Sequence, residues 1–311
     1  MELPDFMSFA NKFSPSDFVD KVARIAKRAG AKLVYAALIL YYTLQSEKVS
    51  KADKALIVGA LVSLCAALLG AILVLKRYSM IGDGLSHVGF GAIAIGAAAN
   101  LTPMYFALPM MIISAFILLK LSSSSNSKMS GDSAIAIISS SALAIGITVC
   151  SVTGMNSDLN SYLFGSILAT SKEDAILAII LAVIIIVSFF IFYNKIFAVT
   201  FDDDFAKATG TPTNVYNMVI AVLTALTIVI GMRVMGTLLI SALIIFPSLT
   251  SMRLFRNFKG VIISSVVISL FCFFTGMIVS FNFDTPTGAT VVLVNLAMFI
   301  IFWIISKILK R

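Results

Sequence analysis

From residue 55 to residue 306 the chain is one apolar run after another, each ended by a few polar residues. Crossing the hydrocarbon layer of a bilayer as a helix takes roughly 20 such residues. The runs predict membrane spans at 55–75, 84–99, 103–121, 132–152, 172–193, 214–232, 235–250, 260–281 and 286–306. Hydrophobic residues make up 59% of the chain and charged residues 12%, with a mean hydropathy of +1.03. Soluble domains carry roughly 25% charged residues, so no water-soluble core absorbs this much apolar sequence and the lipid bilayer is the solvent. Backbone polar groups in lipid must be satisfied within the segment, which favours helices. The expected fold is all-α, a polytopic transmembrane bundle of nine helices, or ten if the N-terminal segment also crosses.

In a soluble protein the net charge of +8 would suggest nucleic acid, but here it reports topology, and no nucleic-acid partner is expected. With the first span running outside to inside, Lys76, Arg77, Lys120, Lys128, Lys195, Lys207, Arg253, Arg256, Lys259, Lys307, Lys310 and Arg311 all fall on the cytoplasmic side, against Lys172 and Arg233 outside. That is the bias of the positive-inside rule, and it places the C-terminus in the cytoplasm. Cys65, Cys150 and Cys272 stand singly in apolar runs without metal-ligand spacing, and read as small packing residues. Residues 1–20 lack the compact apolar core of a cleavable signal, so insertion is expected to use the spans themselves.

Residues 1–54 form a separate N-terminal segment ahead of the 55–311 transmembrane domain. DKVARIAKRAGAK (20–32) is basic and amphipathic, and LVYAALILYYTLQ (33–45) is apolar but short. This segment either lies at the membrane interface or supplies one extra span. Loop 122–131 reads as a polar linker, and 153–170 as a short helix dipping into the outer face.

The stretch KRYSMIGDGLSHVGFGAIAIG (76–96) carries the most chemistry, because it sets Asp83 four residues before His87, the one histidine of the chain. Four residues is about one helical turn, so the carboxylate and the imidazole share a face, and the pair suits a borderline divalent ion such as zinc or manganese. An ionisable group at the bilayer centre costs about 2.5–3.5 kcal/mol or more, which argues for a use. The alternative is structural, with Asp83 capping the helix and Ser86 and His87 making interhelical hydrogen bonds. Two ligands do not close a metal site, so the pair fits transient relay of a passing ion better than tight storage.

Elsewhere, TFDDDFAKATG (200–210) is a polar segment on the expected cytoplasmic side, with Gly210 placed to end a short helix. It reads as a partner surface or as a solvated acidic loop. Pro247 interrupts the hydrogen bonding of 235–250 and should kink or end that helix. Around 284–288, Asp284 or Thr285 can cap a helix whose first turn holds Pro286. No G-x-x-x-x-G-K-[ST] phosphate loop and no H-E-x-x-H occurs in the chain. ATP hydrolysis, if used, belongs to another polypeptide, and an intramembrane metalloprotease is excluded.

LVLKRYSMIGDGLSHVGFGAIAIG is similar to the Arg-x-Ser-(Leu/Met)-x-Gly-Asp-x-Leu-(Ser/Ala)-His signature of the ABC-3 type metal-ion permeases, which serve zinc, manganese and iron uptake in bacteria. DLNSYLFGSIL (158–168), TFDDDFAKATG (200–210), RVMGTLLISALIIFPSLTSMRL (233–254) and DTPTGATVVL (284–293) follow in the family's order. The resemblance implies a homodimer in the cytoplasmic (inner) membrane, with the ion path on its two-fold axis. It also implies two cytoplasmic ABC ATPase subunits and an extracellular or periplasmic metal-binding protein. No permanently bound cofactor is implied, since Zn2+ or Mn2+ would be cargo and ATP would sit on the partner. Asp83 and His87 would line the route. Asp202, Asp203, Asp204, Phe205, Ala206 and Gly210 would form the helix that couples to the ATPase, and Pro247, Pro286 and Gly288 would be helix breaks or gating points. The function implied is ATP-driven import of a divalent transition-metal ion, with zinc slightly preferred. The rival is an ion-gradient-driven secondary metal transporter, which would show an inverted repeat. Residues 28–61 also resemble a small bacterial membrane-associated family of unknown function, which marks a seam near Leu56–Leu61.

Overall fold

The structure is a computed structural model that describes residues 51–101, 103–123, 131–154, 165 and 172–308. The N-terminal segment up to residue 50 lies outside the described residues, as do most of the 122–131 linker and of the 153–170 segment. Every element among the described residues is a helix. In chain order they are α1 (Lys51–Leu75), α2 (Ser79–Ala98), α3 (Pro103–Ser123), α4 (Gly131–Thr153), α5 (Lys172–Ile191), α6 (Tyr193–Phe201), α7 (Asp203–Ala208), α8 (Thr213–Met235), α9 (Thr237–Ser251), α10 (Phe258–Phe283) and α11 (Thr287–Ile308).

Each of the nine expected spans falls on one of the long helices, α1 to α5 and α8 to α11. Length and apolarity divide them. Six are long and apolar enough to cross a membrane, and a seventh counts if α5 and α6 are taken as one bent span. Phe106–Lys120 and Thr237–Ser251 are shorter apolar helices. The span expected at 172–193 does not run straight, because α5 and α6 meet at 78°. No proline or glycine marks the break at Phe192, so nothing in the apolar pattern foretells it. Conversely, α9 continues for a turn past Pro247 to Ser251, so the helix does not end at the proline.

The bundle is organised around α1, α2 and α8, each with 72% of its apolar window buried, whereas α4 and α11 bury only 17% and 22% and form the periphery. Lipid tails are as apolar as leucine, so helices in a bilayer associate through close packing and hydrogen bonds rather than through apolar attraction. Both devices are present. Gly70 of α1 lies against the Ile244 backbone of α9, and Gly91 of α2 lies against the Ala142 carbonyl of α4. The Ser63 and Ser269 hydroxyls pair at 2.7 Å between α1 and α10, and Ser241 of α9 donates to Ser86 of α2 at 3.0 Å.

Candidate functional site

Helix α2 starts at Ser79, five residues before the expected boundary, because a tight turn at Lys76–Tyr78 returns the chain at once from α1. Asp83 therefore sits in the second turn, and the N-cap position belongs to Tyr78. That geometry removes the capping alternative for Asp83. Ser86 does take the interhelical bond expected of it, accepting from Ser241 of α9 at 3.0 Å, while it donates to the Gly82 carbonyl of its own helix at 2.9 Å.

From Ile81 to Ala94 every residue of α2 is buried except Asp83 and His87. Their side chains are 42% and 20% exposed, and His87 Nε2 stands 3.6 Å from Asp83 Oδ2. That separation is long for a hydrogen bond. An ion about 2.1 Å from each donor would see them at an angle of roughly 120°, within reach of tetrahedral or trigonal ligation. His87 Nδ1 is buried without a hydrogen-bond partner. Among the described residues no group of three or more His, Cys, Asp or Glu side chains could hold a metal, so the donors described at this pair are two.

The 200–210 segment is folded rather than open. α6 ends at Phe201, and Asp202 caps α7 by accepting from the Phe205 amide at 2.9 Å. Asp203 turns inward, and its two oxygens take Lys76 Nζ at 3.3 Å and Asn217 Nδ2 at 3.2 Å. Ala206 is buried beneath the helix, and Gly210 closes the segment with φ +78°. Asp202, Asp204 and Phe205 remain exposed, Phe205 at 61%. Of the six residues singled out in the sequence, Asp203 and Ala206 turn into the protein, whereas Asp202, Asp204, Phe205 and Gly210 are exposed. The partner of Asp203 could not be read from spacing, since Lys76 lies 127 residues away.

At the far end of α10, Asp284 ends the helix in the left-handed region, φ +50°, rather than starting the next one. Thr285 shares a 2.7 Å hydrogen bond with Thr290, whose amide reaches the Pro286 carbonyl at 3.1 Å. Gly288 is buried in the first turn of α11. Pro247 is buried in α9, whose neighbouring Ile244 touches α1 and α2. Among the described residues no hydrogen bond or ion pair joins these positions to Asp83 or His87.

A bundle of apolar helices, six of them long and apolar enough to cross a bilayer, defines a multi-pass membrane protein, and one otherwise buried helix of it carries a carboxylate–imidazole pair. Residues 49–306 match the ABC 3 transport family, and the chain belongs to that family. It is 33% identical to an uncharacterized membrane protein in the ycf23-apcF intergenic region of Cyanophora paradoxa, over 82% of this chain and 86% of that protein. It is 29% identical to the high-affinity zinc uptake system membrane protein ZnuB of Haemophilus influenzae, over 79% of this chain and 94% of that one. The manganese import system permease protein ScaB of Streptococcus gordonii is 28% identical over 83% of this chain and 94% of its own length. Among solved structures, PsaBC from Streptococcus pneumoniae in complex with Fab superposes with a TM-score of 0.73 at 30% identity, covering 83% of this chain and 92% of that one.

Proposed function

We propose that the chain is the membrane-spanning permease subunit of an ABC importer that carries a divalent transition-metal ion into the cell, zinc ahead of manganese or iron. The observation that carries this reading is the exposure pattern of α2, where the two residues left uncovered between Ile81 and Ala94 are the carboxylate and the imidazole. Charged and polar donors turned to lipid are costly, so this strip faces an aqueous path or a second copy of the chain. A second copy would present another Asp83 and His87 and raise the donors from two to four. Family membership and relatives named for zinc and manganese uptake support the choice of cargo.

On this reading a homodimer in the bacterial cytoplasmic membrane encloses the path on its two-fold axis, with its C-termini in the cytoplasm. An extracellular or periplasmic binding protein delivers the ion. ABC ATPases on partner chains engage the exposed side of α7, and ATP drives alternation between outward- and inward-open states. Asp83 and His87 pass the ion by exchangeable ligation, which needs few ligands and short residence. The test is uptake of radioactive zinc and manganese by vesicles holding the chain with its ATPase, with and without ATP. ATP-dependent uptake should fall at least about tenfold in Asp83→Ala and in His87→Ala, the loss expected on removing one ligand or its close partner. Undiminished uptake in both variants would return the pair to structure, and uptake that ignores loss of the ATPase would favour the gradient-driven rival.

A further inference from the structure

The turn between α1 and α2 is closed by three backbone hydrogen bonds, Lys76 N to Ile72 O at 2.9 Å, Arg77 N to Val74 O at 3.1 Å and Tyr78 N to Leu73 O at 2.7 Å. Arg77 adopts φ +61° to make it, a conformation uncommon outside glycine. The connection is therefore short and stiff. Lys76, at its start, is not a snorkelling surface lysine, since its side chain is only 5% exposed. Its ammonium donates to the Val199 carbonyl of α6 at 2.6 Å and to Asp203 Oδ1 of α7 at 3.3 Å. Asp203 holds Asn217 of α8 with its other oxygen. One ion pair thus fastens the α1–α2 turn to α6, α7 and α8. Burial lowers the Lys76 pKa, while the neighbouring Asp203 opposes that shift and favours the charged form.

Helix α7 has two sides with different tasks. Asp202, Asp204 and Phe205 face outward, where a partner can reach them, whereas Asp203 faces Lys76. Three residues beyond Lys76 the rigid helix α2 begins, and Asp83 lies about 6 Å along it at the standard rise per residue. A push on α7 has a direct mechanical route, through one charge-assisted contact and one stiff turn, to the helix that bears Asp83 and His87. Coupling of this kind is carried by contiguous rigid elements and ion-pair networks.

We propose that Lys76, held by Asp203, is a positioning residue of the transport cycle that transmits movement of α7 to the ion-binding strip of α2. This rests on the permease reading. The quantity that isolates it is the number of ions moved per ATP hydrolysed, measured in proteoliposomes holding the full chain with its ATPase and radioactive zinc or manganese. The amount of assembled complex is followed by co-purification of the ATPase.

Lys76→Met and the isosteric Asp203→Asn should each lower ions per ATP about tenfold, within the range of typical couplings between sites, while hydrolysis per assembled complex persists. The double variant should be no worse than the poorer single one, as for two members of one network. Should Lys76→Met fail to assemble, Asp203→Asn carries the same test, because it removes the charge and keeps the shape. An unchanged ratio overturns the proposal. So does a fall of flux and hydrolysis in step with the amount of complex, which is what a merely structural pair would produce. Wild-type vesicles without ATP-dependent flux would instead sink the permease reading, and the inference with it.

Discussion

At Gly70 helix α1 rests on the backbone of α9, and a Cβ there would meet the Ile244 carbonyl oxygen. Backbone cannot swing aside as a side-chain end can, so a methyl group forces the helices apart. Gly70→Ala is expected to destabilise the protein by about 1–3 kcal/mol, the usual penalty for overpacking a filled interior, and to lower the thermal unfolding midpoint in detergent. An unshifted midpoint would mean that α1 and α9 do not meet there. The chemistry of single residues was legible in the sequence only where it was rare. One histidine in an apolar run draws attention by itself, and the i, i+4 spacing to Asp83 predicts the shared face that the structure shows. Lys76 offered no such signal. It reads as one more basic residue at a span end, because its role depends on a carboxylate far away in sequence.

The bend between α5 and α6 shows what the pattern of an element conceals. A continuous apolar run predicts one straight span, and local propensity has no reason to break it at Phe192. What holds the break is tertiary and aromatic. Phe192 meets Tyr216 edge to face at 5.7 Å between centroids, and Phe258 at the start of α10 receives Tyr193 at 5.6 Å, Phe197 at 5.3 Å and Phe201 at 5.8 Å. Lys195 adds a 3.1 Å hydrogen bond to Thr211 across the same corner. Phe258 is thus the post around which α6 is wrapped, and it is itself buried. Phe258→Ala should cost about 3–5 kcal/mol, as for other buried Phe-to-Ala changes, and should open the corner selectively. Limited proteolysis near residues 201–210 reads this: cleavage should accelerate in the variant, while cleavage unchanged from wild type would mean that α5 and α6 stay bent without the aromatic post. The nine apolar helices, by contrast, were legible to within a few residues for most, because a run of about 20 apolar residues in lipid satisfies its own backbone polar groups only as a helix.

For the whole molecule, contacts between distant segments gather one end of the bundle. Lys76 reaches Val199 and Asp203, Lys259 stacks over Tyr193 at 5.9 Å, and Ser306 near the C-terminus donates to the Arg253 carbonyl at 3.1 Å. The α1–α2 turn, the 193–207 corner, the α9–α10 loop and the end of α11 therefore share a face. These are segments whose basic residues the positive-inside rule assigns to the cytoplasm, and the geometry tests the assignment jointly, since all must lie on one side or none. Lys207 and Lys307 are exposed there, and the native cysteines Cys65, Cys150 and Cys272 are buried, which keeps background labelling low. Lys207→Cys and Lys307→Cys, made separately, should both react with a membrane-impermeant maleimide in inverted inner-membrane vesicles and stay unlabelled in intact cells. Labelling of both from outside would invert the topology, placing α7 where no ATPase could reach it and removing the basis for import driven by ATP. Labelling from opposite sides would contradict the shared face itself, because Ser306 could not then bond Arg253 while Lys259 stacks on Tyr193.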